Sequence, residues 1–314
     1  MSIEPVGAEL GTRVDEEVAR RRREHLTAVV EAAGGSVVPV SRANALLWLA
    51  VADSQRLLTL LDANPQIAWV QLSAAGVDTF GPNAFSRPVI FTSAKGAFGV
   101  QVAEHALMLI LASLRHVVEH ARQRQWHGSE PETLAGKRVT ILGAGGIAII
   151  LTRLLHAAGC HVTVVRRRQT RLADADVTVS TAQLHDVLPN TDVLVVALAL
   201  TKETHRLIGR HELELLPAAA ILVNVARGAI VDTEALVVAL RTGGIRAAGL
   251  DVTDPEPLPP DHALWSLDNV LVTSHCADSV SYVTEMLAER VSENVRRFQH
   301  GLELVGVVDS VAGY

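Results

Sequence analysis

The sequence predicts an α/β protein built from two doubly wound parallel sheets. Strand-like and helix-like segments alternate along the 314-residue chain, the order that parallel strands with crossover helices produce. Hydrophobic residues make up 49% of the chain but aromatic residues only 4%. The core must therefore consist largely of Val, Leu, Ile and Ala, which suits buried parallel strands. The length leaves room for two domains of ordinary size.

The first hundred residues predict the first sheet. A helix over about residues 14–33 should end at the Gly34-Gly35 pair, because glycine favours the backbone conformation that terminates helices. Apolar runs bounded by turn residues predict the strands of this sheet. Strands are predicted at residues 36–40, 45–51, 69–72 and 89–92, with a helix at 55–62.

A long helix is predicted over residues 100–123, and its first half is apolar nearly all round. Such a helix must be buried, either between domains or against a second subunit. Residues 126–133 contain Gly, Pro and polar side chains and predict a connection.

The second half of the chain predicts a second sheet. Six apolar strands separated by helices are what a doubly wound dinucleotide-binding sheet requires. A terminal helix over residues 280–300 follows them. The six strands are predicted at residues 139–142, 162–165, 193–197, 220–225, 247–251 and 270–273.

Charge and cysteine content argue against several classes of protein. The net charge of −6 and the lack of a long basic tail do not favour nucleic-acid binding. The four arginines at 20–23 are expected on a solvated helix face. Two cysteines are too few for a disulfide framework, and the longest apolar helical run, residues 106–114, is shorter than the ~20 residues of a membrane span. We expect a cytoplasmic location and no membrane partner.

A glycine-rich turn follows the first strand of the second sheet. Gly143, Gly145 and Ala148 fit the pattern G-x-G-x-x-G/A, in which the first glycine makes the turn and the second lets the backbone approach a pyrophosphate. Gly146 and Ile147 then open a helix whose N-terminus faces the phosphates. Such a pattern alone is weak, because glycine turns also simply join strands to helices. The flanking strand and helix favour a dinucleotide site.

Three arginines, Arg166, Arg167 and Arg168, stand at the end of the next strand, where NAD enzymes usually place an acidic residue. Guanidinium groups there would attract the 2′-phosphate of NADP. We therefore expect NADP(H) as cofactor. NAD(H) remains the alternative, since a solvated basic loop tolerates either dinucleotide.

Three strands of the second sheet are followed by residues suited to acid chemistry. Arg227 can grip a carboxylate through two hydrogen bonds, His275 can transfer a proton, and Glu256 can raise the pKa of an imidazole. Because the carboxyl ends of parallel strands meet at one edge, these side chains should share a ligand site. A surface salt bridge is a reasonable alternative for the arginine alone. The other twelve of the 13 histidines are expected at the surface or in helix caps.

The chain resembles the D-isomer-specific 2-hydroxyacid dehydrogenases over nearly its whole length, most strongly from residue 134 to residue 275. The motifs that carry the resemblance together are highly specific. They are Gly143-Ala144-Gly145-Gly146-Ile147, Asn224-Val225-Ala226-Arg227-Gly228-Ala229-Ile230-Val231-Asp232, Gly249-Leu250-Asp251-Val252 with Glu256-Pro257-Leu258, and Leu264-Trp265 leading to His275.

The resemblance implies an oxidoreductase with a Rossmann-type coenzyme domain at residues 98–280. Residues 1–97 and 281–314 would form a flavodoxin-like substrate domain, and the coenzyme domains would join two chains into a homodimer. Arg227 would bind the carboxylate and carbonyl of the substrate, and His275, paired with Glu256, would donate the proton. Asp251 would lie near the nicotinamide ring. The backbone amides of Ala74, Ala75 and Gly76 would hold the substrate carboxylate.

The chain departs from the family pattern in a few places. Ser274, Ala277 and Ala199 stand where the family often has Pro, Gly and Pro, which affects loop shape. Residues 1–12 lack a clear first strand.

The expected activity is reduction of a small 2-oxo acid, such as glyoxylate or hydroxypyruvate, to the 2-hydroxy acid. Ser73 and residues 94–98 are expected to line the pocket, and Trp265 and Tyr282 either shape its apolar side or belong to the core. One alternative is a phosphite-type oxyanion dehydrogenase, for which Lys95 is the only indication. The other is a dinucleotide-sensing regulatory protein, which an intact acid–base pair disfavours.

Overall fold

The computed structural model describes residues 1–4, 16–50, 53–80, 82–126, 128, 130–168 and 170–309. The chain divides into two compact units, Met1–Phe98 with Ser279–Tyr314, and Gly99–Asp278. Each unit contains one sheet, and the strands described pair in parallel in both. The predicted α/β class with two parallel sheets is confirmed.

The described elements follow one another in the alternating order that the sequence predicts. The strands are β1 Ser2–Glu4, β2 Ala45–Trp48, β3 Trp69–Leu72, β4 Ile90–Thr92, β5 Arg138–Leu142, β6 His161–Arg166, β7 Val177–Ser180, β8 Val193–Val196, β9 Ile221–Asn224, β10 Ala247–Leu250 and β11 Val270–Val272. The helices are α1 Glu16–Ala32, α2 Ser54–Ala63, α3 Gly99–Leu114, α4 Val117–Arg122, α5 Gly146–Ala157, α6 Leu184–Val187, α7 Arg210–Leu215, α8 Thr233–Thr242 and α9 Val280–Gln299.

The sheet of the first unit has the order β1-β2-β3-β4. The strand predicted at residues 36–40 does not form, and the expectation that residues 1–12 lack a strand is wrong for Ser2–Glu4. β1 takes the place beside β2, and residues 36–39 run past the N-terminus, where the Val38 amide donates to the Met1 carbonyl at 3.0 Å. With this extended segment counted beside β1, the order is that of flavodoxin-like sheets. Residues 5–15 lie outside the described part.

Helices cover both faces of this sheet. Leu26 and Val30 of α1 pack with Leu287 and Val291 of α9 in one apolar cluster. Leu57 and Leu61 of α2 belong to a second cluster with buried side chains of β2 and β3. Arg20 and Arg21 of α1 lie on the predicted solvated face, where both pair with Glu17. Arg22 is half-buried, so the expectation of a solvated face is wrong for that residue.

The sheet of the second unit has the order β11-β10-β9-β8-β5-β6-β7. All six predicted strands form, and the order reverses at β5, between its neighbours β6 and β8. A seventh strand, β7, was not predicted. It is a short edge strand reached from β6 through a loop rather than a helix, so the strand–helix rhythm does not reveal it.

The helix predicted over residues 100–123 is two helices, α3 and α4. His116 between them has φ 53°, in the left-handed region, which interrupts a right-handed helix. The carbonyl of Leu114, at the end of α3, accepts a hydrogen bond from the Glu132 amide at 3.0 Å. α3 packs on the sheet of its unit, where Leu109 lies against Gly249. Every helix in the described part is too short or too polar to cross a membrane.

Candidate active site

The glycine-rich turn joins β5 to α5 at the point where the strand order reverses. Gly143 has φ +113°, and a Cβ there would lie 2.3 Å from the carbonyl oxygen of Ala197 at the end of β8. Its amide donates to the Val165 carbonyl of β6 at 2.8 Å. A Cβ on Gly145, in contrast, would meet open space. Packing thus requires the first glycine, whereas the second leaves room for a ligand at the start of α5, where helix amides lack intrahelical acceptors.

The arginines follow β6 beside this turn. Leu142 and Val165 are paired across β5 and β6, so Arg166 lies level with Gly143. Arg166 is half-buried and its Nη1 donates to the Thr170 carbonyl at 3.0 Å, while Arg167 is exposed. The structure therefore places Arg166 and Arg167 at the rim of the sheet, next to the helix N-terminus.

Arg227 is held by the end of β9. The Asn224 side-chain amide donates to the Arg227 carbonyl at 2.9 Å, and its Oδ1 accepts from the Ala226 amide at 3.0 Å. Asn224 is 1% exposed. Its two hydrogen bonds fix the backbone of residues 226 and 227, from which the Arg227 side chain extends. Asn224 was not predicted as a site residue, although its amide side chain at the end of an apolar strand is a signal that could have identified it.

The loop that carries Glu256 is packed directly on the loop of Arg227. A Cβ on Gly228 would lie 2.0 Å from the carbonyl oxygen of Thr253, so only glycine permits this approach. The Thr233 hydroxyl donates to the Asp254 carbonyl at 2.7 Å and ties the two loops a second time. These contacts hold the chain segment that carries Arg227 against the loop that carries Glu256.

His275 and Glu256 form an ion pair. The distance from His275 Nδ1 to Glu256 Oε1 is 2.7 Å, and the two side chains are 50% and 42% exposed. The hydrogen bond that His275 Nδ1 donates to the Glu256 carboxylate raises the pKa of His275, although burial and the Arg227 charge oppose the rise. The same bond is the main reason that the pKa of Glu256 is lowered, and Arg227 contributes to that shift. The three predicted residues therefore share one electrostatic environment, which can hold an anion and supply a proton.

Asp251, at the end of β10, is 2% exposed. Its Oδ1 accepts from the Thr273 hydroxyl at 2.6 Å and from the Cys276 amide at 3.0 Å. Its Oδ2 accepts from the Ala277 amide at 3.3 Å, and its own carbonyl accepts from the His275 amide at 2.8 Å. The residue thus organises the turn that carries His275.

His105 contradicts the expectation that the other histidines are surface or capping residues. Its side chain is 14% exposed, and its Nε2 lies 2.9 Å from Thr273 Oγ1 and 3.2 Å from Asp251 Oδ1. Ligand atoms of His105, Asp251 and Cys276 lie within 4.8 Å of one another, but the Asp251 oxygens already accept hydrogen bonds from protein groups. We interpret the cluster as a hydrogen-bond network rather than a metal site. Neither His105 nor Thr273 was singled out from the sequence.

The remaining predicted residues lie as follows. Ala74, Ala75 and Gly76 follow β3 in the first unit, where the Ala74 carbonyl accepts from the Ala94 amide at 2.9 Å. Lys95, in the same unit, is exposed. Trp265 is 41% exposed and therefore not a core residue, and Tyr282 is half-buried.

The chain is similar in sequence to known dehydrogenases and reductases. Residues 107–277 match the model of the NAD-binding domain of the D-isomer specific 2-hydroxyacid dehydrogenases. The glyoxylate reductase of Aeropyrum pernix is 36% identical over 255 residues, which are 77% of this chain and 76% of that protein.

Two solved structures are similar throughout. A D-isomer specific 2-hydroxyacid dehydrogenase of Xanthobacter autotrophicus Py2, in complex with NADPH and MES, has a TM-score of 0.83 at 27% identity, covering 100% of this chain and 98% of that one. An NADPH-dependent glyoxylate/hydroxypyruvate reductase of Sinorhizobium meliloti, in complex with NADP and sulfate, has a TM-score of 0.79 at 27% identity, covering 93% and 96%.

The chain belongs to the D-isomer specific 2-hydroxyacid dehydrogenase family. It is an NAD(P)-dependent oxidoreductase of small 2-hydroxy or 2-oxo acids.

Proposed function

We propose that this enzyme reduces a small 2-oxo acid to the 2-hydroxy acid with NADPH, and that Arg227, Glu256 and His275 are its catalytic residues. The observation that carries the proposal is the 2.7 Å pair of His275 and Glu256 beside the Arg227 charge. A protonated imidazole next to a fixed cation is what reduction of a carbonyl on a carboxylate-bearing substrate needs.

The roles follow from the geometry. His275 Nδ1 is engaged by Glu256, so Nε2 is the ring nitrogen left to face the substrate oxygen. A dihydronicotinamide held at the glycine-rich turn would supply the hydride that the carbonyl carbon accepts. His275 gives its Nε2 proton to the carbonyl oxygen and becomes neutral, so that the product is the 2-hydroxy acid. Arg227 binds the substrate carboxylate and polarises the carbonyl.

Coenzyme preference is assigned to Arg166 and Arg167. Arg166 lies level with Gly143, so Arg166 and Arg167 leave β6 at the same sheet edge as the helix N-terminus that would receive the pyrophosphate. Guanidinium groups at that strand end would bind a 2′-phosphate. The similar structures from Xanthobacter and Sinorhizobium, which contain NADPH and NADP, support the same choice. Gly145, Gly146 and Ile147 would present backbone to the dinucleotide.

The first unit is proposed as the substrate domain, residues 1–97 and 281–314, and the second as the coenzyme domain, residues 98–280. Ala74, Ala75 and Gly76 would bind the substrate carboxylate through backbone amides. Asp251 would act near the nicotinamide ring. We take the enzyme to be a cytoplasmic homodimer, in keeping with its two free cysteines and with the apolar side chains that α3 leaves exposed.

The test is the oxidation of NADPH and NADH, followed by absorbance, with glyoxylate, hydroxypyruvate, pyruvate and phenylpyruvate. Turnover should favour NADPH, and the R166A/R167A double variant should lose that preference. Arg153→Ala is the matched control, because Arg153 is an exposed arginine that pairs with Asp174. Wild-type preference for NADH would refute the assignment of the arginines.

Two other outcomes would replace the proposal altogether. Tight dinucleotide binding without turnover of any acid would indicate a sensor. Phosphite-dependent reduction of the oxidised coenzyme would indicate an oxyanion dehydrogenase.

A further inference from the structure

The turn that carries His275 has an unusual backbone conformation. His275 has φ +48°, in the left-handed region that residues with a side chain seldom occupy. The side chain is half exposed, so apolar packing alone does not fix its direction. Something else must hold the turn if the imidazole is to keep its place opposite Glu256.

The Asp251 carboxylate supplies part of that support. It accepts hydrogen bonds from the backbone amides of Cys276 and Ala277, the two residues after His275. The Asp251 carbonyl accepts the His275 amide itself. Three successive amides are thus bound by one buried residue, and the orientation of its carboxylate sets the path of the turn.

His105 contacts the Asp251 carboxylate and the Thr273 hydroxyl that is bonded to it, and so helps to set the orientation of the carboxylate. The Thr273 hydroxyl has one hydrogen, which it donates to Asp251 Oδ1 at 2.6 Å. Its oxygen can therefore only accept from His105 Nε2, 2.9 Å away, so this nitrogen must carry a proton. The same N–H lies 3.2 Å from Asp251 Oδ1. The imidazole thus supports the hydroxyl and the carboxylate together.

We propose that His105 is a positioning residue for His275, acting through Thr273 and Asp251. This proposal rests on the proposed function, in which His275 is the acid that donates the proton. His105 lies on α3, and its imidazole contacts Thr273 and Asp251 rather than Glu256 or His275. Its effect reaches the acid through the hydroxyl, the carboxylate and the amides of the turn.

The test uses the titration of His275 in the enzyme without substrate. Its imidazole Cε1–H signal is identified in the NMR spectrum as the one missing from His275→Ala. Charged groups near this ring are Glu256, Arg227, Asp251 and Asp278, and all four remain in the His105 variants. If His105→Leu loosens the turn, the bond to Glu256 weakens and the pKa of His275 falls toward that of free histidine.

Kinetics give the second readout. We expect His105→Leu to lower kcat about 10- to 100-fold while leaving the dissociation constant of NADPH unchanged. His105→Gln, whose amide nitrogen can reach the place of Nε2, should restore most of both properties. His185→Leu is the matched control, because it breaks another imidazole–carboxylate contact, 2.8 Å to Glu212, away from the turn.

An unchanged His275 titration in His105→Leu would overturn the proposal, as would equal losses in the Leu and Gln variants. If His105→Leu does not fold, Thr273→Val removes the linking hydroxyl with little change in shape and must lower the pKa of His275; an unchanged titration there would also overturn it. Absence of turnover in the wild-type enzyme would refute the proposed function alone, because the titration needs no substrate.

Discussion

Nδ1 of His275 lies 2.7 Å from Oε1 of Glu256, and each group shifts the pKa of the other in the direction that favours the charged pair. The two residues follow different strands, β11 and β10, and meet because the loops after these strands fold toward one another. In the proposed reaction the pair keeps the imidazole protonated until the substrate oxygen takes the proton.

The first prediction concerns pH. Because Glu256 raises the pKa of His275, the wild-type enzyme should keep its reducing activity to higher pH than an isolated histidine would permit, and activity should decline as the pH rises through that pKa. In Glu256→Gln the pKa of His275 should fall, so the decline in activity should begin at lower pH. At a pH above this pKa, activity should drop about tenfold for each unit by which the pKa falls. The pH profile of kcat/KM tests this, with Glu214→Gln on the exposed face of α7 as control. A profile identical to wild type would contradict the role of Glu256.

Arg227→Lys should lower kcat/KM for the 2-oxo acid by about 10²–10³-fold. Lysine retains the charge but loses the planar pair of donors that matches a carboxylate. Asn224 holds the backbone of residue 227 independently of its side chain, so the fold should be kept. Steady-state kinetics together with NADPH binding, followed by its fluorescence, separate the effects. Weakened coenzyme binding with unchanged kcat/KM at saturating NADPH would show that Arg227 serves the dinucleotide instead.

The two glycines of the nucleotide turn should fail in different ways. Gly143→Ala places a Cβ 2.3 Å from the Ala197 carbonyl oxygen, and overpacking of this kind costs about 1–3 kcal/mol of stability. Gly145→Ala meets open space, so stability should be kept, while NADPH affinity should fall about tenfold or more as the Cβ enters the place of the pyrophosphate. Thermal unfolding and NADPH titration of both variants check this. Equal losses of stability in the two variants would contradict the assignment of Gly143 to packing and of Gly145 to dinucleotide binding.

The exposed apolar side chains of α3 predict a dimer. Val100, Met108 and Leu111 are 39–41% exposed in the single chain, and burying the part of each side chain that remains exposed contributes roughly 1 kcal/mol. Light scattering should give twice the chain mass of 33.6 kDa, and Leu111→Asp should give the mass of one chain. Val238→Asp, on α8 with 47% exposure, is the control. A monomeric wild type would contradict the prediction.

Much of the fold was predictable because its signals are local. The strands of the second sheet are apolar runs bounded by turn residues, and Arg227, Glu256 and His275 lie in the loops that follow three of them. The left-handed His116 and the edge strand β7 were missed because neither follows from periodicity. The first is a single backbone angle between two helical segments, and the second is a short strand that pairs with β6 alone.

The support behind the site was not predictable for a related reason. His105 meets Thr273 across 168 residues of chain, and only the packing of α3 on its sheet brings them together. The direction of the Asp251 carboxylate likewise depends on the turn that it binds. A sequence pattern predicts which residues follow a strand. It does not predict their side-chain rotamers, on which a hydrogen-bond network depends.

The central claim is that His275 donates the proton in reduction of a 2-oxo acid, and His275→Ala tests it most directly. The measurement is kcat with NADPH and the acid that the wild type turns over best, alongside the dissociation constant of NADPH. We expect His275→Ala to lose about 10²–10⁴-fold in kcat with NADPH binding unchanged. Wild-type turnover by His275→Ala would contradict it.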